Sequence, residues 1–283
     1  MNKNDTCLIC NSARIKELDG YYKSKGLLKC KDCGFVFMEK IPTDYELQDY
    51  YKKYDYSNDE ALSISTINSY NKLLDEFESY RKTNNILDVG CGRGWFLIEA
   101  KKRGWNVFGS EYADEAVDLG QRKGLKMHQG PLNKEAFPSE SFDVVTSFEV
   151  IEHINNPQEE IGYINSFLRK GGLFYCTTPN FDSIMRYYLK NEYNVICYPE
   201  HLSYYTKKTL KSLAKNAGFK KLKTLTTGIS ISRIKNSKNK ESEGKPRTNF
   251  DDETIRENIS KRGYLRFIKS IVNGFLNMFN LGI

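Results

Sequence analysis

The chain has 283 residues, 39% hydrophobic and 13% aromatic, enough for one α/β domain with a full core plus a small accessory unit, and too apolar for a disordered segment. The net charge of +7 is uneven: residues 1–40 hold 8 Lys and Arg against 5 Asp and Glu, residues 233–283 hold 11 against 6, and the stretch between is nearly neutral. A near-neutral centre argues against a domain that reads nucleic acid through its central face. The polar start of the chain, with no apolar leader, and the lack of a long apolar run point to a cytoplasmic location.

Two C-x-x-C pairs come first, Cys7 with Cys10 and Cys30 with Cys33. That spacing is expected of a structural zinc site, in which two tight knuckles complete a tetrahedron of thiolates and Gly34 relieves the second turn. Two disulfides or unrelated cysteines are the alternatives, and a cytosolic setting disfavours disulfides. A closed four-sulfur site serves folding or docking, and a metal would staple a segment too short to own a core. The organisation read from the sequence is therefore a zinc module over 1–40, a helical connector over 41–84 and an α/β domain over 85–232. A polar insertion or linker over 233–263 and an amphipathic C-terminal helix over 264–283 complete it.

A polar helix is expected near 62–82, then a strand over 86–89 that runs into Gly90-Cys91-Gly92-Arg93-Gly94 and a helix. A dinucleotide turn would place glycine at position 95, which is Trp95; G-x-G-x-G suits a ligand without pyrophosphate, whose amino acid tail lies along the loop. The next strand, over 106–110, ends in Glu111, a carboxylate placed to accept both hydroxyls of a ribose. A helix near 113–123, strands near 125–129 and 142–148, a helix near 157–169 and a strand at 173–178 follow. This alternation predicts a doubly wound, mostly parallel sheet with its ligand at the carboxyl ends of the strands, where residues 90–94, Glu111 and residues 148–153 converge.

Residues 86–178 closely resemble the Rossmann-like core of class I S-adenosylmethionine (SAM) methyltransferases. The resemblance is carried by Leu87-Asp88-Val89-Gly90-Cys91-Gly92-Arg93-Gly94, Glu111, Ser141-Phe142-Asp143-Val144-Val145, Glu149-Val150-Ile151-Glu152-His153-Ile154 and Lys170-Gly171-Gly172. It implies SAM as cofactor, with Asp88, Gly90, Cys91, Gly92 and Gly94 around the methionine part and Glu111 on the ribose. Tyr112, Phe148, Glu149 and His153 line the same pocket, and Gly130 and Leu132 flank adenine. Many relatives have Gly-Asp where this chain has Gly130-Pro131, which leaves adenine to backbone groups near Leu132. Within the class the chain looks most like bacterial enzymes of polysaccharide and secondary-metabolite pathways, through Pro199-Glu200-His201-Leu202-Ser203-Tyr204-Tyr205-Thr206, which resembles their lid. Sugar C-methyltransferases of this kind also carry a four-cysteine zinc unit in front. The implied acceptor is a small molecule or saccharide. An RNA methyltransferase with an N-terminal zinc unit, and a non-catalytic SAM-fold scaffold, are the rivals.

Methyl transfer to a hydroxyl or carbon acid requires removal of a proton, and His201, flanked by Tyr204 and Tyr205, is the candidate general base or substrate anchor. Glu149 and Glu152 are weaker candidates, and His128 is expected to pack within a strand. The family sheet ends in an antiparallel hairpin, of which only one strand is visible, over 221–227. The C-terminal helix, with Leu265, Ile268, Ile271, Val272, Phe275, Leu276 and Phe279 at helical spacing, is expected to dock on the protein's own core or a second subunit. The alternative is peripheral contact with the inner membrane face.

Overall fold

A computed structural model describes residues 3–22, 25–52, 56, 62–220, 223–226, 228, 272–274, 276–278, 280 and 282. In chain order the elements are β1 (Ile15–Glu17), β2 (Leu27–Cys30), β3 (Val36–Met38), α1 (Asp44–Tyr51), α2 (Ile64–Phe77), β4 (Asn85–Val89), α3 (Trp95–Lys102) and β5 (Asn106–Glu111). Then come α4 (Asp114–Arg122), β6 (Lys126–Gln129), β7 (Phe142–Phe148), α5 (Pro157–Phe167), β8 (Leu168–Thr177), α6 (Ile184–Leu189), β9 (Ser203–Tyr204) and α7 (Lys207–Asn216). Residues 54–150 and 159–177 form one compact unit; residues 1–53, 151–158 and 178–283 form the other.

The first of these is the expected α/β core. Its five strands run in the order β6-β5-β4-β7-β8, every pairing parallel. The chain order therefore reverses direction at β4, the switch point where open α/β sheets bind ligands. Strand β7 is buried almost throughout because it lies between β4 and β8, which explains its unbroken apolar run. Helix α2 starts at Ser63, whose hydroxyl accepts the Thr66 N–H, and buries Leu74 and Phe77 against Phe96, Leu97, Trp105 and Val107. Asp143 anchors the entry to β4: its Oδ2 accepts the N–H groups of Lys82, Thr83 and Asn84 at 2.7–2.8 Å, and its Oδ1 pairs with Arg169 at 2.5 Å. Burial would raise this carboxyl, but the guanidinium and the three N–H groups hold it below its ordinary value.

The other unit departs from the expected division. Strands β1, β2 and β3 form an antiparallel sheet that β9 completes, with Val36 opposite Tyr204 and Phe37 opposite Ser203. The N-terminal module is thus built together with the segment that follows β8. The reason is burial: Leu27, Val36 and Met38 share one core with Phe181, Met185, Leu189, Tyr193, Leu202 and Tyr204. A zinc-sized segment cannot bury its strands alone.

The single strand expected over 221–227 is not formed at residues 223–226. Instead Thr226 donates its N–H to Asn277 and its hydroxyl to the Leu276 carbonyl. The polar insertion over 233–263 lies outside the described residues. Of the C-terminal helix, residues 272–274 and 276–278 are described and helical. They dock on their own unit: Leu276 is buried, and the Asn180 amide donates to the carbonyls of Asn280 and Gly282. Among the described residues no helix is long and apolar enough to cross a membrane.

Candidate active site

In the α/β unit the loop after β4 holds Gly90, Gly92 and Gly94 at φ of +65°, +51° and +71°, which side chains rarely adopt. A Cβ at Gly90 would stand 2.5 Å from Val150, whereas one at Gly92 would meet nothing within 4 Å. Gly92 therefore faces open space, as a loop that cradles a ligand must. The N–H groups of Gly90 and Cys91 donate to the Ser110 carbonyl at 2.9 and 3.1 Å, tying the loop to β5. Glu111 closes that strand. Its Oε2 accepts the Gly92 N–H at 2.8 Å, and its Oε1 accepts those of Tyr112 at 2.7 Å and Ala113 at 3.3 Å.

Asp88 lies on β4 beside this loop, 3% exposed, and accepts the Thr146 hydroxyl at 2.7 Å. Burial pushes its carboxyl up to about 7, against the Thr146 hydroxyl and aided by the negative Glu111. On the neighbouring β7, Ser147 stands in register with Val89, and its hydroxyl is buried with no hydrogen-bond partner. A buried carboxyl, an unsatisfied hydroxyl and an open glycine loop at the carboxyl ends of parallel strands fit the amino acid and ribose parts of a nucleoside ligand.

The fold brings Asp88, Gly90, Cys91, Gly92, Gly94, Glu111 and Tyr112 together through the register of β4 with β5. Gly130 joins them, because its N–H donates to the Glu111 carbonyl at 2.9 Å, while Leu132 is buried nearby in sequence. Phe148 is half-buried, and its ring packs on Phe96, Tyr175 and Tyr70 at 5.0–6.0 Å at the edge of the core. Glu149 is exposed at φ +54°, its N–H on the Thr177 carbonyl, a strained position of the kind found at functional strand ends. His128 packs its ring on Phe137, as expected.

The remaining candidates belong to the other unit. His153, expected to begin a helix in the cofactor pocket, sits in a 3₁₀ turn with its Nδ1 on the Glu200 carbonyl at 2.7 Å and its ring 4.8 Å from that of His201. His201 is 3% exposed, and its Nδ1 meets the Val195 carbonyl at 2.7 Å. Tyr204 and Tyr205 are both buried; the Tyr204 hydroxyl donates to the His201 carbonyl at 2.9 Å and that of Tyr205 to the Ile151 carbonyl at 3.4 Å. Their rings pack on Phe181 and Phe35, so they hold the segment around His201 in place. Sequence reasoning passed over Thr178, whose hydroxyl donates to Glu152 at 2.8 Å beside the two histidines. No spacing rule links residues so far apart.

The four cysteines do converge. Cys7 Sγ lies 3.5 Å from Cys33 Sγ and Cys10 Sγ 3.6 Å from Cys30 Sγ, and all four lie within 4.8 Å of one another. Thiolates about 2.3 Å from one zinc ion stand about 3.8 Å apart, whereas a disulfide needs about 2.05 Å. The set fits an ion and not two disulfides. Asn11 at φ +57° and Gly34 at φ +81° close the two knuckles. Burial pushes Cys7 up and Cys33 up to about 11; at Cys30 burial acts the same way, but the N–H groups of Cys33 and Asp32 and the neighbouring thiols bring it down to about 7. Four thiols so close ionise together only around a cation.

The chain belongs to the methyltransferase domain family, which matches residues 63–224, more than half of its length. Among curated proteins it is similar to the ubiquinone biosynthesis O-methyltransferase of Roseobacter denitrificans, 32% identical over 101 residues that make up 34% of this chain and 41% of the relative. The enzyme of the same name from Colwellia psychrerythraea is 30% identical over 136 residues, 46% of this chain and 52% of the relative. The chain spans about half the length of these curated relatives. Among solved structures, a SAM dependent methyltransferase from Archaeoglobus fulgidus is similar at a TM-score of 0.46 and 20% identity, covering 68% of this chain and 85% of that one.

Proposed function

We propose that the protein is a SAM-dependent methyltransferase that modifies a hydroxyl of a small-molecule or saccharide acceptor. The observation that carries the reading is the open glycine loop after β4 with the Glu111 carboxylate hydrogen-bonded to its Gly92 N–H at the switch point of a parallel sheet. When bound, SAM supplies a methyl group on an electrophilic sulfonium. Glu111 is assigned the ribose hydroxyls; Asp88, which deprotonates readily once a cationic amino group comes near, holds the methionine end. The backbone near Gly130 and Leu132 receives adenine. Oxygen as the acceptor atom is supported by the relatives, which are named O-methyltransferases. The saccharide lean rests on the likeness of residues 199–206 to the lid of polysaccharide-pathway enzymes and on the four-cysteine set, to which we assign structural zinc.

The test has two stages. Calorimetry with S-adenosylhomocysteine should show one site per chain; absence of binding would leave a non-catalytic scaffold. Incubation with methyl-labelled SAM and a cell extract should then place label in nucleotide-sugar, lipid-linked saccharide or other small-molecule material that resists RNase. RNase-sensitive label would replace this reading with RNA methylation.

A further inference from the structure

Glu152, His153 and His201 each bring one metal-ligand atom into a cluster in which all three lie within 4.8 Å of one another. The cluster lies wholly inside the unit that holds β9, with Glu152 and His201 buried. We propose that it is a second metal site, for a zinc-class dication, distinct from the four cysteines. The argument begins with tautomers. A carbonyl oxygen only accepts hydrogen bonds, so the 2.7 Å contacts to Glu200 and Val195 place a proton on Nδ1 of both rings. A neutral imidazole with its proton on Nδ1 carries its lone pair on Nε2. This backbone-carbonyl contact is the support that metal-ligating histidines use to fix their tautomer and orientation. The carboxylate is held in the same manner, since the Thr178 hydroxyl donates to Glu152 Oε2 at 2.8 Å.

The backbone fixes the ligands as well as the side chains do. The Leu202 N–H donates to the Glu152 carbonyl and the His201 N–H to the Cys197 carbonyl, both at 2.7 Å. Ligands about 2.1 Å from one ion stand about 3.4 Å apart, so the cluster contracts by no more than about 1.4 Å on binding, within reach of side-chain rotation. Two imidazoles and one carboxylate suit zinc, cobalt, nickel or ferrous iron; magnesium and calcium call for more oxygen ligands. Among the described residues the set offers three ligands, one fewer than the closed set of four cysteines. His201 is thereby a metal ligand and not a free general base. The proposal stands whether or not the chain transfers methyl groups.

The experiment uses the full chain with its cysteine site already loaded with zinc. Calorimetric titration with Zn²⁺, and with Co²⁺ followed by visible absorption, should reveal one further equivalent whose cobalt bands lack thiolate charge transfer. Long-range ¹⁵N spectra should show the Nε2 resonances of His153 and His201 shifting while Nδ1 stays protonated. His153→Ala and Glu152→Gln should abolish the second equivalent, and Thr178→Val should weaken it about 10- to 100-fold, the usual cost of a lost supporting contact. No second equivalent in the wild-type chain would overturn the proposal, and needs no variant to fold. A second equivalent that survives unchanged in His153→Ala and Glu152→Gln would overturn it equally.

Discussion

Asp88→Asn should make the ligand-free protein more stable than wild type at alkaline pH while impairing cofactor binding. The carboxyl is 3% exposed and its folded pKa is raised to about 7, chiefly by burial. A group whose pKa is higher in the folded chain holds its proton more tightly there. Its contribution favours folding fully below the unfolded value near 4, declines as pH rises and is lost above about 7. Between pH 5.5 and 7 that decline spans about 1.5 pH units, or roughly 2 kcal/mol at 1.36 kcal/mol per unit. Asparagine does not titrate, and its amide oxygen can still accept the Thr146 hydroxyl. The stability of Asp88→Asn relative to wild type should therefore grow by about 2 kcal/mol from pH 5.5 to 8.5, which corresponds to roughly 4–8 °C in Tm for a chain of this size. Urea unfolding of both proteins across that range measures it. Parallel stability profiles would refute the assignment of a buried, near-neutral titration to Asp88. A gain in stability coupled to weaker binding of S-adenosylhomocysteine would mark Asp88 as a carboxylate retained at a stability cost.

Glu111→Ala should weaken S-adenosylhomocysteine binding by at least about 10-fold, because two hydrogen bonds to an ionised carboxylate are lost; unchanged affinity by calorimetry would remove Glu111 from the ribose. Asp143→Ala leaves the largely buried Arg169 without its carboxylate and three N–H groups without their shared acceptor, and should cost about 3–5 kcal/mol in urea melts. A loss below about 1 kcal/mol would show that solvent replaces that anchor. Cys10→Ser should release zinc from the four-cysteine set and lower Tm, read by metal analysis and calorimetry, since β3 and β9 share one sheet and one core. Zinc content equal to that of wild type would exclude Cys10 as a ligand.

The α/β core was legible because its signals are local. The apolar run over 142–148, the glycine loop after β4 and the acidic end of β5 each state their role within a few residues, and parallel pairing then brings them together. The rest depended on contacts between distant segments. Nothing in Ser203-Tyr204 announces a two-residue strand, and it forms only because β3 offers an unpaired edge. Tyr204 and Tyr205 look like a polar lid because tyrosine carries a hydroxyl, yet a tyrosine is also a large apolar body, and here the hydroxyls are satisfied by nearby carbonyls. Residues 221–227 carry threonines of the β-branched type that favours strands, but Thr226 bonds the C-terminal segment instead. The partners of His153 lie equally far along the chain: the carbonyl of Glu200 and the ring of His201. The segment around residue 200 supplies β9, the tyrosines that fix it and the second histidine. Its burial is therefore what brings His201 to the adjacent pair Glu152 and His153. A substitution that loosens Tyr204 should disperse that cluster without touching any of its members.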